Sequence, residues 1–234
     1  MTRPISRPAA TSRRLWRLAA ALALAHVALM LTGISFEPSV VLGDTRHDQV
    51  AGLLHGSLAA GLAGGYTEYL GFLVFLVDAA LIAQLLRGAG EVQRWLSTCI
   101  TAAGAVYTAI TIAVGFAAGA AALYDGHHGA DLMTAVTVND VRNFGFFLSV
   151  GVLGVFTLAV AGAVHATGVL PRWLAWTGYL VGALSMAAVP AARWGAIDYV
   201  NMLWLAWWVA LAVLALRGPR VVARAAAEQE PLRV

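Results

Sequence analysis

The stretch GGYTEYLGFLVFLVDAALIAQLLRG, residues 64–88, decides how the chain is read. It is apolar for long enough to cross a bilayer, since about 20 residues of helix span roughly 30 Å of hydrocarbon. Yet it carries Glu68, Asp78 and Gln84. On a helical wheel Gly64, Thr67, Gly71 and Asp78 share one face, and glycines in a membrane helix mark the face that packs on other helices. Asp78 is therefore expected to point into protein, where an ionisable group in a span belongs.

Outward from this stretch the same block recurs. Sixty per cent of the 234 residues are apolar and 12% are charged. The apolar residues fall in six blocks, at 16–34, 62–86, 96–123, 142–164, 173–190 and 197–216. Their continuity excludes a β-barrel, whose strands alternate at period two. The sequence predicts an all-α polytopic bundle of six transmembrane helices at 16–216. A basic tail at 1–15 precedes it and a second tail at 217–234 follows. All 15 basic residues are Arg. Twelve lie in the tails, at the start of the first block (Arg17) and in the turns after the second and fourth blocks; only Arg46, Arg142 and Arg193 lie on the other side. The positive-inside rule then places both termini in the cytoplasm of a bacterial plasma membrane. Charge so distributed reports topology and calls for no nucleic-acid partner. The expected partners are the bilayer and a small hydrophobic or amphipathic molecule.

The segment TSRRLWRLAAALALAHVALM resembles a twin-arginine signal, but its apolar part is longer than a signal core and five more blocks follow, so an uncleaved span is expected. The single Cys99 excludes an intrachain disulfide or a Cys-x-x-Cys pair. Between the first two blocks, Pro38 and Gly43 break the helix and Asp44 can cap a short amphipathic one near 44–56. In the third block Thr101, Gly104, Thr108, Thr111 and Gly115 form a stripe of small residues suited to close packing.

Two groups of residues are candidates for chemistry. His26 and Asp78 each lie about 12–15 Å deep when counted along their helices from the cytoplasmic side. They are expected to meet, sharing a proton as a relay or general acid. Towards the exterior, Glu68 joins Asn139, Asp140, Arg142 and Asn143 at the entry of the fourth block and Arg193, Trp194, Asp198 and Asn201 at the sixth. Glu68, Arg142, Trp194, Asp198 and Asn201 make a candidate pocket for a polar head, with Arg142 placed to neutralise Glu68 or Asp198. The histidines lack a zinc spacing, so no metal and no cofactor is expected. Absence of Lys excludes a retinal Schiff base, and no nucleophile elbow, phosphate loop or zinc-protease motif occurs.

The run 167–174, Thr-Gly-Val-Leu-Pro-Arg-Trp-Leu, with Trp176, resembles a turn found in a family of six-span bacterial integral membrane proteins, a domain of unknown function. That resemblance implies the six-span layout and brings no activity with it. The leading expectation is a protein that binds or moves a small amphipathic or hydrophobic molecule, or supports a membrane complex. The alternative is an intramembrane enzyme on a lipid or isoprenoid, using Glu68, Asp78 or Asp198.

Overall fold

The computed structural model describes residues 9–36, 52, 55–129, 131–192 and 196–218. All are helix, turn or connection, and among them there is no strand. The helices are α1 (Ala9–Phe36), α2 (Leu58–Leu85), α3 (Glu91–Ile110), α4 (Ala117–His127), α5 (Leu132–Thr167), α6 (Arg172–Ala188) and α7 (Ala196–Arg217). A π-helical segment, Thr111–Phe116, joins α3 to α4 without a break, so 91–127 forms one pass. The chain therefore makes six helical passes among the described residues. Most of the expected amphipathic helix at 44–56, Arg193, Trp194 and most of both tails lie outside the described residues.

Neighbouring passes are antiparallel, as their contacts show. Gly33 of α1 lies against Gly64 of α2, and the Ser97 hydroxyl of α3 donates to the Ala83 carbonyl of α2 at 2.8 Å. Gly119 of α4 meets Arg142 of α5, Gly154 of α5 meets Gly182 of α6, and Gly178 of α6 meets Trp207 of α7. The start of α1 and the end of α7 thus share one end of the bundle, called here the near end. The turns that join α3 to α2 and α6 to α5 are also there. The α4–α5 hairpin marks the far end.

Five passes are long and apolar enough to cross a membrane: 13–36, 58–85, 91–127, 132–167 and 196–217. The fifth expected span, 173–190, is corrected to the 17-residue helix α6, about 25 Å long, at the lower limit for a span. The pass at 91–127 and α5 are longer than expected, about 55 Å each. Helix α5 begins ten residues before the apolar block at 142–164. Its polar first turns contain no Pro or Gly, and Asp131 caps them by accepting from the Met133 N–H and the Thr134 hydroxyl. Hydropathy marks where lipid contact ends; the helix ends where its caps are.

The turn between α5 and α6 follows from its residues. Gly168 adopts a left-handed conformation, φ 63°, open to glycine without strain, and ends α5 with its N–H on the Val164 carbonyl. Pro171 then caps α6. The Gln93 side chain bridges this end of the bundle, accepting from the Gly90 N–H and donating to the Ala166 carbonyl.

Close glycine crossings set the helix spacing. A Cβ at Gly154 would sit 2.7 Å from the Gly182 carbonyl oxygen, and one at Gly182 would sit 2.9 Å from that of Gly154. Backbone cannot turn aside as a side chain can. Gly154→Ala and Gly182→Ala are each expected to lower the unfolding temperature of detergent-extracted protein, at a cost of about 1–3 kcal/mol. Gly151→Ala meets only a Val189 methyl at 3.1 Å and serves as the tolerated control.

Candidate functional site

At the centre of the bundle the apolar passes bring aromatic rings together. Phe75 of α2 is fully buried, with ring centroids of Tyr107, Phe156, Trp204 and Trp208 at 5.1–6.0 Å. Trp204 and Trp208, one turn apart on α7, stack at 5.4 Å. The indole N–H of Trp204 donates to the Thr157 hydroxyl at 2.9 Å, and that of Trp207 donates to the Leu174 carbonyl at 3.1 Å. These two bonds fasten α7 to α5 and α6. The expectations drawn from the sequence do not include this cluster. Its signal was the i, i+4 recurrence of Trp204 and Trp208.

His26 lies inside the cluster, 1% exposed, with its ring 5.1 Å from Phe75 and 6.1 Å from Trp204. Its Nδ1 is 2.9 Å from the Gly71 carbonyl oxygen. A carbonyl only accepts, so Nδ1 carries the hydrogen and donates it. The expected His26–Asp78 hydrogen bond is not formed. Asp78 is fully buried, as its place on the glycine face requires, but neither carboxyl oxygen has a hydrogen-bond partner among the described residues. The reason is register. Gly71 also packs on Leu29 and Met30, and Gly33 packs on Gly64 and Glu68. In this antiparallel alignment His26 is level with Gly71, and Asp78 lies seven residues, about 10 Å, nearer the near end. There it is level with residues 19–23 of α1, where Ala19, Ala20 and Ala23 are fully buried and offer no donor.

The second expected group is only partly assembled. Glu68 is half-buried, its Cγ against Gly33, and the Tyr107 hydroxyl is within electrostatic reach of its carboxyl group. Tyr69 beside it touches Phe116 at 5.6 Å, which sets Glu68 level with the foot of α4. Arg142, also half-buried, runs its side chain across Gly119 one turn further along α4. Asn139 and Asn143 flank Arg142 on α5 and are 2% and 8% exposed. Each has a side-chain nitrogen sealed from solvent with no acceptor among the described residues. Asp198 does not join them. It is exposed in the first turn of α7, where a carboxylate suits the helix dipole. Asn201 is half-exposed, and neither residue makes a hydrogen bond or ion pair among the described residues. Further along α7 Leu205 and Trp208 are buried, so only the start of the helix, with Asp198, turns outward.

The stripe of α3 is divided by the π segment. Gly104, Thr108 and Thr111 are buried, and a Cβ on Gly104 would meet that of Ala79 at 2.8 Å. Thr101 is exposed, and Gly115 has no neighbour within 4 Å of where its Cβ would be. One added residue per turn rotates everything beyond Thr111, a shift no periodicity count anticipates. Among the described residues no three His, Cys, Asp or Glu side chains come together.

If His26 and Asp78 act separately, their substitutions add. A double-mutant cycle of His26→Ala and Asp78→Asn, read by reversible SDS unfolding, is expected to show coupling under about 0.5 kcal/mol. Coupling of about 1 kcal/mol or more would restore the pair. Comparison with protein-family models, with curated proteins and with solved structures finds no match for this chain.

Proposed function

We propose that this chain is a six-span protein of a bacterial plasma membrane, with both termini cytoplasmic, that binds a small amphipathic molecule. The ligand's polar head enters at the exterior end, between α4 and α5, and its tail lies along the apolar bundle. The family whose turn resembles residues 167–174 shares this six-span layout. Helix α6 completes the count as a short span, its start drawn to the cytoplasmic interface by Arg172 and Trp173, both exposed.

One observation carries the reading: the amide nitrogens of Asn139 and Asn143 are buried without acceptors. A sealed, unmet donor costs about 1–3 kcal/mol, so two on one helix face are unfavourable unless something supplies their acceptors. A ligand head does so. Glu68 and Arg142 flank this place, while Asp198 and Asn201 belong to the surface beside it.

A second reading, an intramembrane enzyme, is favoured by Asp78, whose carboxyl group sits in a closed apolar setting without a partner. Such a group is suited to donating a proton to a hydrophobic substrate. Separation from His26 weakens this reading, because no base is hydrogen-bonded to the acid.

Native mass spectrometry of gently extracted protein tests the binding reading. A stoichiometric amphiphile is expected on the wild type and on Asp78→Asn, and is expected to be lost from Asn139→Leu/Asn143→Leu. An adduct retained in the double variant would contradict the site. The topology is tested by membrane-impermeant thiol labelling of intact cells in a Cys99→Ser background. Cysteine at His128 is expected to label, and cysteine at Ser6 is not.

A further inference from the structure

At the near end, three rings from two helices meet. His165, in the last turn of α5, has its ring centroid 5.5 Å from that of Trp176 and 6.1 Å from that of Tyr179, both on α6. Trp176 and Tyr179 are themselves 5.7 Å apart, edge to face. The Tyr179 hydroxyl lies 3.4 Å from His165 Nδ1, which leaves Nε2 as the ring nitrogen for a further partner. The short turn at 168–171 accounts for the meeting, since Gly168 ends α5 and Pro171 caps α6 so that the two helices run back along each other. His165 and Trp176 are exposed and Tyr179 is half-buried. Arg172, Trp176 and Tyr179 follow at steps of four and three, within about 60° of one another around α6. The exposed Arg172 therefore stands one turn from the rings, on their side of the helix and nearer the end of the bundle.

An aromatic belt accounts for single Trp and Tyr side chains at an interface. It does not call for an imidazole held against two rings with an arginine one turn away. Charge at this end is also one-sided. Arg94 of α3 is brought level with the end of α5 by its neighbour Gln93, which donates to the Ala166 carbonyl at 3.1 Å. Neither Arg94 nor Arg172 makes an ion pair among the described residues. The acid nearby in the chain, Glu91, is exposed in the first turn of α3, where it suits the helix dipole. The groups presented are thus donors: a guanidinium, an indole N–H and an imidazole. A cationic head would be repelled by the guanidinium, whereas a phosphate diester offers oxygens to all three. Basic positions between helices at a membrane surface suit anionic headgroups. Deeper along α6, Leu180 and Leu184 are exposed and give acyl chains an apolar surface.

We propose that His165, Arg172 and Trp176 form a site for an anionic phospholipid of the near-end leaflet. Its phosphate accepts from the three side chains, Tyr179 holds His165 in place, and its acyl chains lie along α6. This site is at the opposite end of the bundle from Asn139 and Asn143 and does not depend on the ligand proposed there.

The test uses the full chain in a non-ionic detergent, with bound lipid measured by native mass spectrometry. Three probes are titrated: dioleoyl phosphatidylglycerol, dioleoyl phosphatidylcholine and inorganic phosphate. The first phosphatidylglycerol is expected to bind at least about tenfold more tightly than phosphatidylcholine, whose chains are the same but whose head has no net charge. That contrast is read on wild-type protein and depends on no variant folding. Arg172→Gln and His165→Ala are each expected to weaken phosphatidylglycerol about fivefold or more, and Arg172→Lys to recover part of the loss. Arg13→Gln, which removes an exposed arginine of α1 at the same end, is expected to change nothing. The adduct is also expected to persist in Asn139→Leu/Asn143→Leu. Equal binding of the two lipids to wild-type protein would overturn the anionic site. A loss in Arg13→Gln as large as that in Arg172→Gln would overturn its location, because charge anywhere at the near end would then suffice. Inorganic phosphate binding as tightly as phosphatidylglycerol would overturn the lipid as its occupant. Loss of the adduct from the double variant would assign it to the far end and overturn the near-end site.

Discussion

The arrangement of the bundle depends on how α1 sits against α2, and one hydrogen bond marks that register: the His26 Nδ1–H on the Gly71 carbonyl, at 2.9 Å. Within apolar surroundings such a bond is worth about 1 kcal/mol, modest beside the packing around it. Its consequence is positional. Gly71 accepts His26 because Leu29 and Met30 close over the same glycine, and Gly33 brings the two backbones together one to two turns away. A slip by one turn would drive a Cβ into backbone at Gly64 and strand an imidazole among Phe72, Phe75 and Trp204. Neither is tolerable in a site without water, so the register is specified twice, by shape and by the buried polar group.

From this register the other placements follow. Phe75 is carried to the axis of the bundle, where Tyr107, Phe156, Trp204 and Trp208 close around it. Ala79 is turned to Gly104 of α3. Asp78 faces the alanines of α1, and its carboxyl group is left without a partner. At the far end the same alignment of α2 sets Tyr69 on Phe116 and Gly61 on Leu123, which holds α4 upright against α5. The polar face of α5 is therefore positioned by a contact chain that begins two helices away.

Much of this was legible in the sequence, for physical reasons. Five of the six blocks mark helices long and apolar enough to cross a membrane, because lipid contact demands a continuous apolar run. The glycine face of α2 is legible because a membrane helix places small residues where backbones meet, and Asp78 lies on that face as expected. Gly168 and Pro171 announce the α5–α6 turn through their own backbone limits. What was not legible is relative depth. Counting from the ends of apolar runs put His26 and Asp78 level. But α1 begins before its apolar run, at Ala9, and buries Trp16 near its start, so the run's edge is a poor ruler. The ten early residues of α5 and the π segment escaped for the same reason: both are settled by capping and packing, which hydropathy does not sense. Of the candidate residues, Glu68, Arg142, Asn139 and Asn143 share one end of the bundle, as their places at the entries of their blocks imply. Asp198 was grouped with them because it shares their end of the bundle, though its helix turns it outward.

Disulfide cross-linking measures the register most directly. In a Cys99→Ser background, Leu29→Cys with Gly71→Cys places two Cβ atoms about as close as a disulfide allows, since a Cβ on Gly71 would lie 3.3 Å from that of Leu29. Leu29→Cys with Phe75→Cys reports the alternative alignment, in which His26 would be level with Asp78. The structure predicts rapid oxidation of the first pair within one chain and slow oxidation of the second. Faster closure of the second pair would contradict the register and every placement drawn from it.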